Sequence, residues 1–371
     1  MIQKKTKNLV SCVALAVFGV STPVAVAQSK VLATSSEVPV SNLAIDVFGQ
    51  LNYGMMFGDS GDGSEHFIVD NDNSGSRIGA KLKGDLNGTS LTIGAHVELG
   101  YQQNSSSKVS LEERSISGEF KERHLNMFVS GGFGKVSLGQ GDGAANGNIE
   151  RDLSGTGVIS WTNPALVGGG LEFLDAATDT RVRLGSAMSN QDFESRYSRV
   201  RYDLPALGAF KPTISHGVKG GDDVTEVGVR FSGDFGGKLE GALGYSVRDA
   251  GGVADEIETF GGSLSWLHDT GVNLTGAYST TKDDSPVNPD ADFYLAKVGY
   301  KVGKHSFDIH YMKAGDLVEK GDSAKTLGAG YVFTPLEWFE AYAGYNNHSL
   351  HRSGADFADV DTILVGGRLK F

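Results

Sequence analysis

Apolar and polar residues alternate with a period of two along almost the whole chain. In SLTIGAHVELGY, residues 90–101, one parity carries Leu91, Ile93, Ala95, Val97, Leu99 and Tyr101. The other carries Ser90, Thr92, Gly94, His96 and Glu98. Successive side chains of a strand point to opposite faces, so this stretch has one apolar and one polar face. KLEGALGYSV separates Leu239, Leu243, Tyr245 and Val247 from Lys238, Glu240 and Ser246 in the same way. KHSFDIHYM sets Phe307, Ile309 and Tyr311 against Ser306, Asp308, His310 and Met312. Beyond the first 27 residues no stretch keeps a helical period over three turns.

A soluble sandwich also alternates, so three further features decide the class. Segments such as 43–57, 272–282 and 361–371 alternate for about ten residues or more, the length a tilted membrane-spanning strand needs. Tight turns at Asn87-Gly88, Gly236-Gly237, Asp269-Thr270-Gly271 and Val302-Gly303 alternate with long polar loops such as GDSGDGSEHFIVDNDNSG, AGGVADEIE and DDSPVNPDA. Short turns at one end and long loops at the other are the rule of outer-membrane barrels. Finally, outward-parity rings fall near strand ends: Tyr53, Tyr101, Tyr245, Tyr278, Tyr294, Tyr311 and Tyr345 toward the long loops, and Trp266, Tyr300, Phe333, Phe339 and Phe371 toward the short turns. Two aromatic girdles around an aliphatic band are expected where rings sit at both membrane interfaces.

The pattern predicts an all-β, transmembrane antiparallel β-barrel of sixteen strands, beginning near 43, 76, 89, 122, 134, 196, 210, 223, 238, 257, 272, 291, 304, 324, 338 and 359. Residues 141–195, between the fifth and sixth strands, are far too long for an ordinary loop. In a barrel they must fold over the mouth or into the lumen. An eighteen-stranded alternative takes LEFLDAA and TRVRLGSA within that stretch as a further hairpin.

Composition refines the picture. The 371 residues include 52 glycines, 8 prolines and one cysteine, which suits many short strands and turns. Residues 1–27 combine Lys4, Lys5 and Lys7, the apolar run LVSCVALAVFGV and the cleavage pattern Ala25-Val26-Ala27, and read as a secretory signal peptide. Residues 28–42 then form a lead-in, and 43–371 the barrel. Cleavage removes Cys12, which excludes disulfides and thiolate sites. It also takes the formal charge from -12 to -15, because three lysines leave with the leader. A strongly acidic exported chain is not a nucleic-acid binder.

Four segments carry a family resemblance: SRIGAKLKGDL (76–86), GGFGKVSLGQGDG (131–143), SRVRYDLPALGAF (198–210) and the terminal VGGRLKF. In this order they resemble the Gram-negative general porins over almost the whole mature chain. The resemblance implies a homotrimer of sixteen-stranded barrels in the outer membrane, surrounded by lipid and lipopolysaccharide. Each barrel is expected to hold a water-filled pore for passive diffusion of small hydrophilic solutes. It implies a long third external loop folded into the lumen, whose acidic residues face basic residues of the wall. On the basic side Arg77 matches, with Lys81, Lys83, Arg199 and Arg201 also of inward parity. Glu150 and Asp152 are the acidic candidates, with Glu172 and Asp175 behind them. Arg123 shares the parity of Leu125 and Met127 and turns inward only if a bulge intervenes, and Gln140 stands where the family commonly has arginine. Phe371 matches the terminal aromatic that the barrel-assembly machinery reads.

DNDNSGS offers Asp70 and Asp72 as a weak loop calcium site, but the closing position of an EF-hand falls on Lys81. Nothing forms a nucleotide loop. His96 and Glu98 share the inward face and read as lumen lining, whereas His348 and Ser349 must point to opposite faces. No catalytic set, metal or cofactor is expected, and the chain reads as a channel rather than an enzyme. The alternatives are a substrate-selective porin of the same fold, or a non-conducting barrel such as an adhesin or a barrel hydrolase.

Overall fold

A computed structural model describes residues 40–249, 256–284 and 289–371. The expected leader and the lead-in as far as residue 39 lie outside the described residues. In chain order the strands are β1 (Val40–Ser60), β2 (Gly63–Asp70), β3 (Arg77–Leu86), β4 (Thr92–Gln102), β5 (Glu119–Gly131), β6 (Gly134–Asp142), β7 (Glu172–Asp175), β8 (Thr180–Arg183), β9 (Arg196–Asp203) and β10 (Phe210–Lys219). They continue with β11 (Asp222–Asp234), β12 (Gly237–Asp249), β13 (Glu256–His268), β14 (Val272–Asp283), β15 (Ala291–Val302), β16 (His305–Gly315), β17 (Ser323–Leu336), β18 (Phe339–His351) and β19 (Val360–Lys370).

Sixteen of these form one closed antiparallel barrel. The ring closes where β19 pairs with β1, from Gln50↔Lys370 to Asp59↔Asp361. No open edge is left in the hydrocarbon, where unpaired backbone groups could find no water. The first strand begins at Val40, slightly before the expected end of the lead-in. Two expectations change. GSEHFIVD, read as loop, is β2, which extends the first hairpin by pairing with the far half of β1, Tyr53↔Asp70 to Ser60↔Gly63. The hairpin of the eighteen-strand alternative does form, as β7 and β8, but it pairs only with itself and stays out of the barrel.

The period-two pattern becomes two surfaces. Outward-parity Leu51, Ile78, Leu125, Leu243, Ile309 and Leu327 are all exposed on the chain and form the face offered to lipid. Rings meet at both ends of the wall. Tyr278 lies 5.0 Å from Tyr294 on the long-loop side, and Phe307 lies 4.9 Å from Tyr331 on the short-turn side. One long-loop-side connection is nevertheless minimal. Gly220 and Gly221 join β10 to β11 with φ of 63° and 107°, a left-handed pair that glycine tolerates.

The hydrophobic core joins the long segment to the inward face of the strands. Val158, Ile159, Leu171, Phe173, Leu184 and Met188 of the long segment cluster with inward-parity Met56, Phe293, Leu295, Met312 and Leu364 of the wall. These wall residues are the exceptions to strict alternation. Leu364, apolar on the polar parity of the last strand, is 1 % exposed because it belongs to this cluster.

Candidate pore constriction

The segment between β6 and β9 is tied to inward-parity wall residues by evenly spread hydrogen bonds. The Ala144 N–H donates to Ser215 Oγ at 2.8 Å and the Ala145 N–H to Glu226 Oε2 at 2.9 Å. Arg151 and Leu153 donate their N–H groups to Ser263 Oγ and Ser265 Oγ, both at 2.9 Å, and Ser279 Oγ donates to the Asn190 carbonyl at 2.8 Å. Wall hydroxyls and the Glu226 carboxylate thus satisfy loop backbone that is buried away from water.

The strongest tie is ionic. Lys297 Nζ on β15 meets Asp152 Oδ2 at 2.7 Å, with the side chains 0 % and 3 % exposed. The same ammonium donates to the Ser160 carbonyl. Burial raises the Asp152 carboxyl, but Lys297 and the Ser154 contacts outweigh it and hold it below its ordinary value. Asp152 is therefore buried in the contact between segment and wall.

A cavity of about 750 Å³ remains between segment and wall. Arg77 (β3), Arg123 (β5), Arg196 (β9) and Arg368 (β19) line it, with Glu150 and Asp192 of the long segment. Glu150 Oε1 accepts from Trp161 Nε1 at 2.8 Å and from Asn190 Nδ2 at 3.0 Å. Asp192 accepts the Gly147 N–H at 2.9 Å. Enclosure raises both carboxyls, and the charge of Glu150 raises Asp192 further.

Arg123 reaches this cavity through the bulge that alternation required. Opposite β4 the register steps from Glu98↔His124 to Leu99↔Glu122, leaving Arg123 as the extra residue. Its Nε donates to Glu98 Oε1, and Arg77 Nε lies 3.7 Å from the same oxygen. Arg368 is held by Glu340 Oε2 at 2.6 Å and Ser74 Oγ at 2.7 Å.

The expected basic side divides in two. Arg77 lines this cavity, whereas Lys81, Arg199 and Arg201 line a second one of about 450 Å³. Arg199 donates to the Gly139 and Asp142 carbonyls at 2.8 and 3.0 Å, and Arg201 to the Gly143 carbonyl at 2.7 Å. Both guanidiniums clamp the root of the long segment. Lys83 also lines the second cavity. Glu172 pairs with Arg183 at 3.4 Å in the β7–β8 hairpin, and Asp175 caps Ala177 N there at 3.0 Å.

Sequence reasoning did not nominate Arg196, Arg368 or Asp192. The inward parity of Arg368 was a readable signal; Arg196 and Asp192 sit at a strand start and in an irregular loop, where parity says nothing. Asp70 Oδ1 accepts the Ser76 N–H and Asp72 Oδ2 accepts from Ser105 and Ser107, while Asp70 Oδ2 is buried without a hydrogen-bond partner. His348 is buried against Thr326 Oγ1 at 2.8 Å. Phe371 exchanges both backbone hydrogen bonds with Gly49, at 2.9 and 3.0 Å.

The family model for Gram-negative porins matches residues 12–350. No curated protein matches the sequence. Among solved structures, the anion-selective porin from Comamonas acidovorans is 16% identical with a TM-score of 0.64, covering 89% of this chain and 100% of that one. Outer-membrane expressed OmpT of Vibrio cholerae is 16% identical with a TM-score of 0.61, covering 92% and 100%. Salmonella typhi OmpF, in complex with daunomycin, is 17% identical with a TM-score of 0.61, covering 88% and 98%. At these identities the likeness is one of fold.

Proposed function

The chain belongs to the Gram-negative porin family and is an outer-membrane porin, and from that premise we propose that residues 143–195 form the constriction of a passive diffusion channel for small hydrophilic solutes and ions. Arg77, Arg123, Arg196 and Arg368 are its basic wall, and Glu150 and Asp192 its acidic side. Opposed charges across a narrow wet gap set a transverse field that orients dipolar solutes and disfavours apolar ones, while the gap's width limits size. The observation that carries this reading is the shared cavity in which four wall arginines face the loop carboxylates Glu150 and Asp192, with Asp72 and the Arg368 partner Glu340 also in its lining. Enclosure raises both acids, so they lose charge at a higher pH than an exposed carboxylate while the arginines keep theirs; the passage favours anions, and more so as the pH falls.

Asp152 then moors the loop, Arg199 and Arg201 fix its root, and Lys81 lines the wider chamber beside it. A homotrimer embedded in lipid and lipopolysaccharide is part of this reading, supported by a solved structure of Vibrio cholerae OmpT in trimer form. So are a leader at residues 1–27 and recognition of Phe371 by the barrel-assembly machinery. Planar-bilayer recording under a salt gradient tests it. Steps of ionic current with an anion-selective reversal potential support the reading. Folded protein that passes no current sinks the channel, and saturable block by one solute replaces general diffusion with a substrate-selective pore.

A further inference from the structure

One cluster in the wall is used neither by the loop nor by the constriction's acidic side. His96 and Glu98 stand two apart on the inward face of β4, and His124 of β5 pairs directly opposite Glu98. The two imidazoles are stacked with centroids 4.2 Å apart. One donor atom from each of the three residues lies within 4.8 Å of the others. His96 Nε2 is 3.7 Å from Glu98 Oε2, too long for a hydrogen bond, and it has no hydrogen-bond partner; His124 Nδ1 has none either. Arg123 and Arg77 occupy the other carboxylate oxygen, Oε1, and so fix the carboxylate with Oε2 toward the imidazole. His124 Nε2 lies 3.9 Å from Asp142 Oδ2, which places a second carboxylate at the edge of the cluster. His96, His124 and Asp142 line the second cavity, which brings that space up to the cluster, although the imidazole nitrogens themselves are buried.

We infer that His96, Glu98 and His124 form a binding site for a divalent transition-metal ion of the zinc, nickel or copper kind on the channel wall. Two imidazoles and one carboxylate are the donor set such ions prefer, whereas calcium and magnesium take oxygen ligands. A tetrahedral ion at 2.0–2.2 Å from its ligands needs donors about 3.4 Å apart, so the side chains close by roughly an ångström on binding. The surrounding charge sharpens the identification. Arg77, Arg123, Lys81 and Arg199 are close by and repel any cation, so an ion held by charge alone is excluded. One held through imidazole lone pairs is not. Salt screens that repulsion, so binding at this cluster tightens as ionic strength rises. Binding to the acidic outer surface of a chain of formal charge -12 would weaken instead.

The site is tested by titrating the folded, detergent-solubilised protein with Zn2+ calorimetrically and with Cu2+ by electron paramagnetic resonance. The expected result is one site showing two nitrogen ligands, tighter at high than at low salt. Affinity should fall by at least tenfold, the lower end of the 10–100-fold cost of losing even an outer partner, in His96→Asn and in His124→Asn. Either single variant suffices if the other does not fold. In bilayers Zn2+ shifts the reversal potential further toward anions, and a chelator reverses the shift. Unchanged affinity in both variants, or binding that weakens with salt, overturns the site. Channel current without metal is unaffected by that outcome, so the porin reading stands or falls separately.

Discussion

Replacing Asp152 by Asn tests what holds the long segment against the wall. The substitution keeps shape and removes one charge from a pair separated by 2.7 Å, whose side chains are 3 % and 0 % exposed. At an effective dielectric of about 20 the direct attraction is on the order of 6 kcal/mol. Desolvation of both charges offsets most of it, so the pair as a whole is worth little more than an apolar replacement. Breaking it is different, because Lys297 stays buried and charged without a partner, at about 3–5 kcal/mol. The five hydrogen bonds from the segment to Ser215, Glu226, Ser263, Ser265 and Ser279 contribute about 1 kcal/mol each. Losing the ion pair therefore removes an amount comparable to all five together. The barrel itself keeps its ladder, so the damage falls on the segment. Single-channel recording should show larger and noisier open-channel current for Asp152→Asn, with unchanged strand content by circular dichroism. The double variant Asp152→Ala, Lys297→Met removes both charges and should return the current toward its quiet level. If Asp152→Asn matches the parent in conductance and noise, or the double variant is worse than the single one, the mooring argument is wrong.

Replacing Arg77 and Arg123 by Ser should shift the reversal potential toward cations, whereas replacing Arg201 by Ser should act mainly on loop stability; equal selectivity shifts would refute the division into two cavities. Enclosure raises the Glu150 and Asp192 carboxyls above 4.5 and 3.8. Acidification should therefore neutralise them early and raise anion preference at a pH above the ordinary carboxylate range. Glu150→Gln with Asp192→Asn should abolish that dependence, and a flat profile in the parent would remove both from the pore. Deleting Phe371 takes away two backbone bonds to Gly49. It should lower the amount of heat-modifiable protein reaching the membrane without changing the conductance of assembled channels. Gly49→Val should do the same, since an added Cβ lies 2.5 Å from the Phe371 ring and 2.9 Å from the Arg77 carbonyl. Normal membrane levels of Gly49→Val would show that the closing strand tolerates the clash.

Alternation carried the barrel: membrane strands must show one face to hydrocarbon for their whole length, and that requirement is written residue by residue. Strand starts, the ring's two girdles and the inward parity of Arg77 all follow from it. The exceptions were not legible in the same way: apolar Leu364 and Met312 on the polar parity took their meaning only from the structure, where they pack with the long segment. The site was less legible because it depends on relations that parity does not encode. A one-residue bulge turned Arg123 inward, and an irregular segment brought Asp192 beside Glu150. The contact with Lys297, 145 residues away, holds Asp152 buried between segment and wall. Arg199 and Arg201 have the right parity, but the segment's root offers them carbonyls, so their N–H donors are committed to that backbone even though their charge remains. The sequence alone determined the face of strand residues wherever the ladder runs unbroken, because two-residue periodicity is local; at the bulge of Arg123 it did not. Which inward charges meet across the pore was decided only in three dimensions, where one long loop chooses its partners from many strands at once.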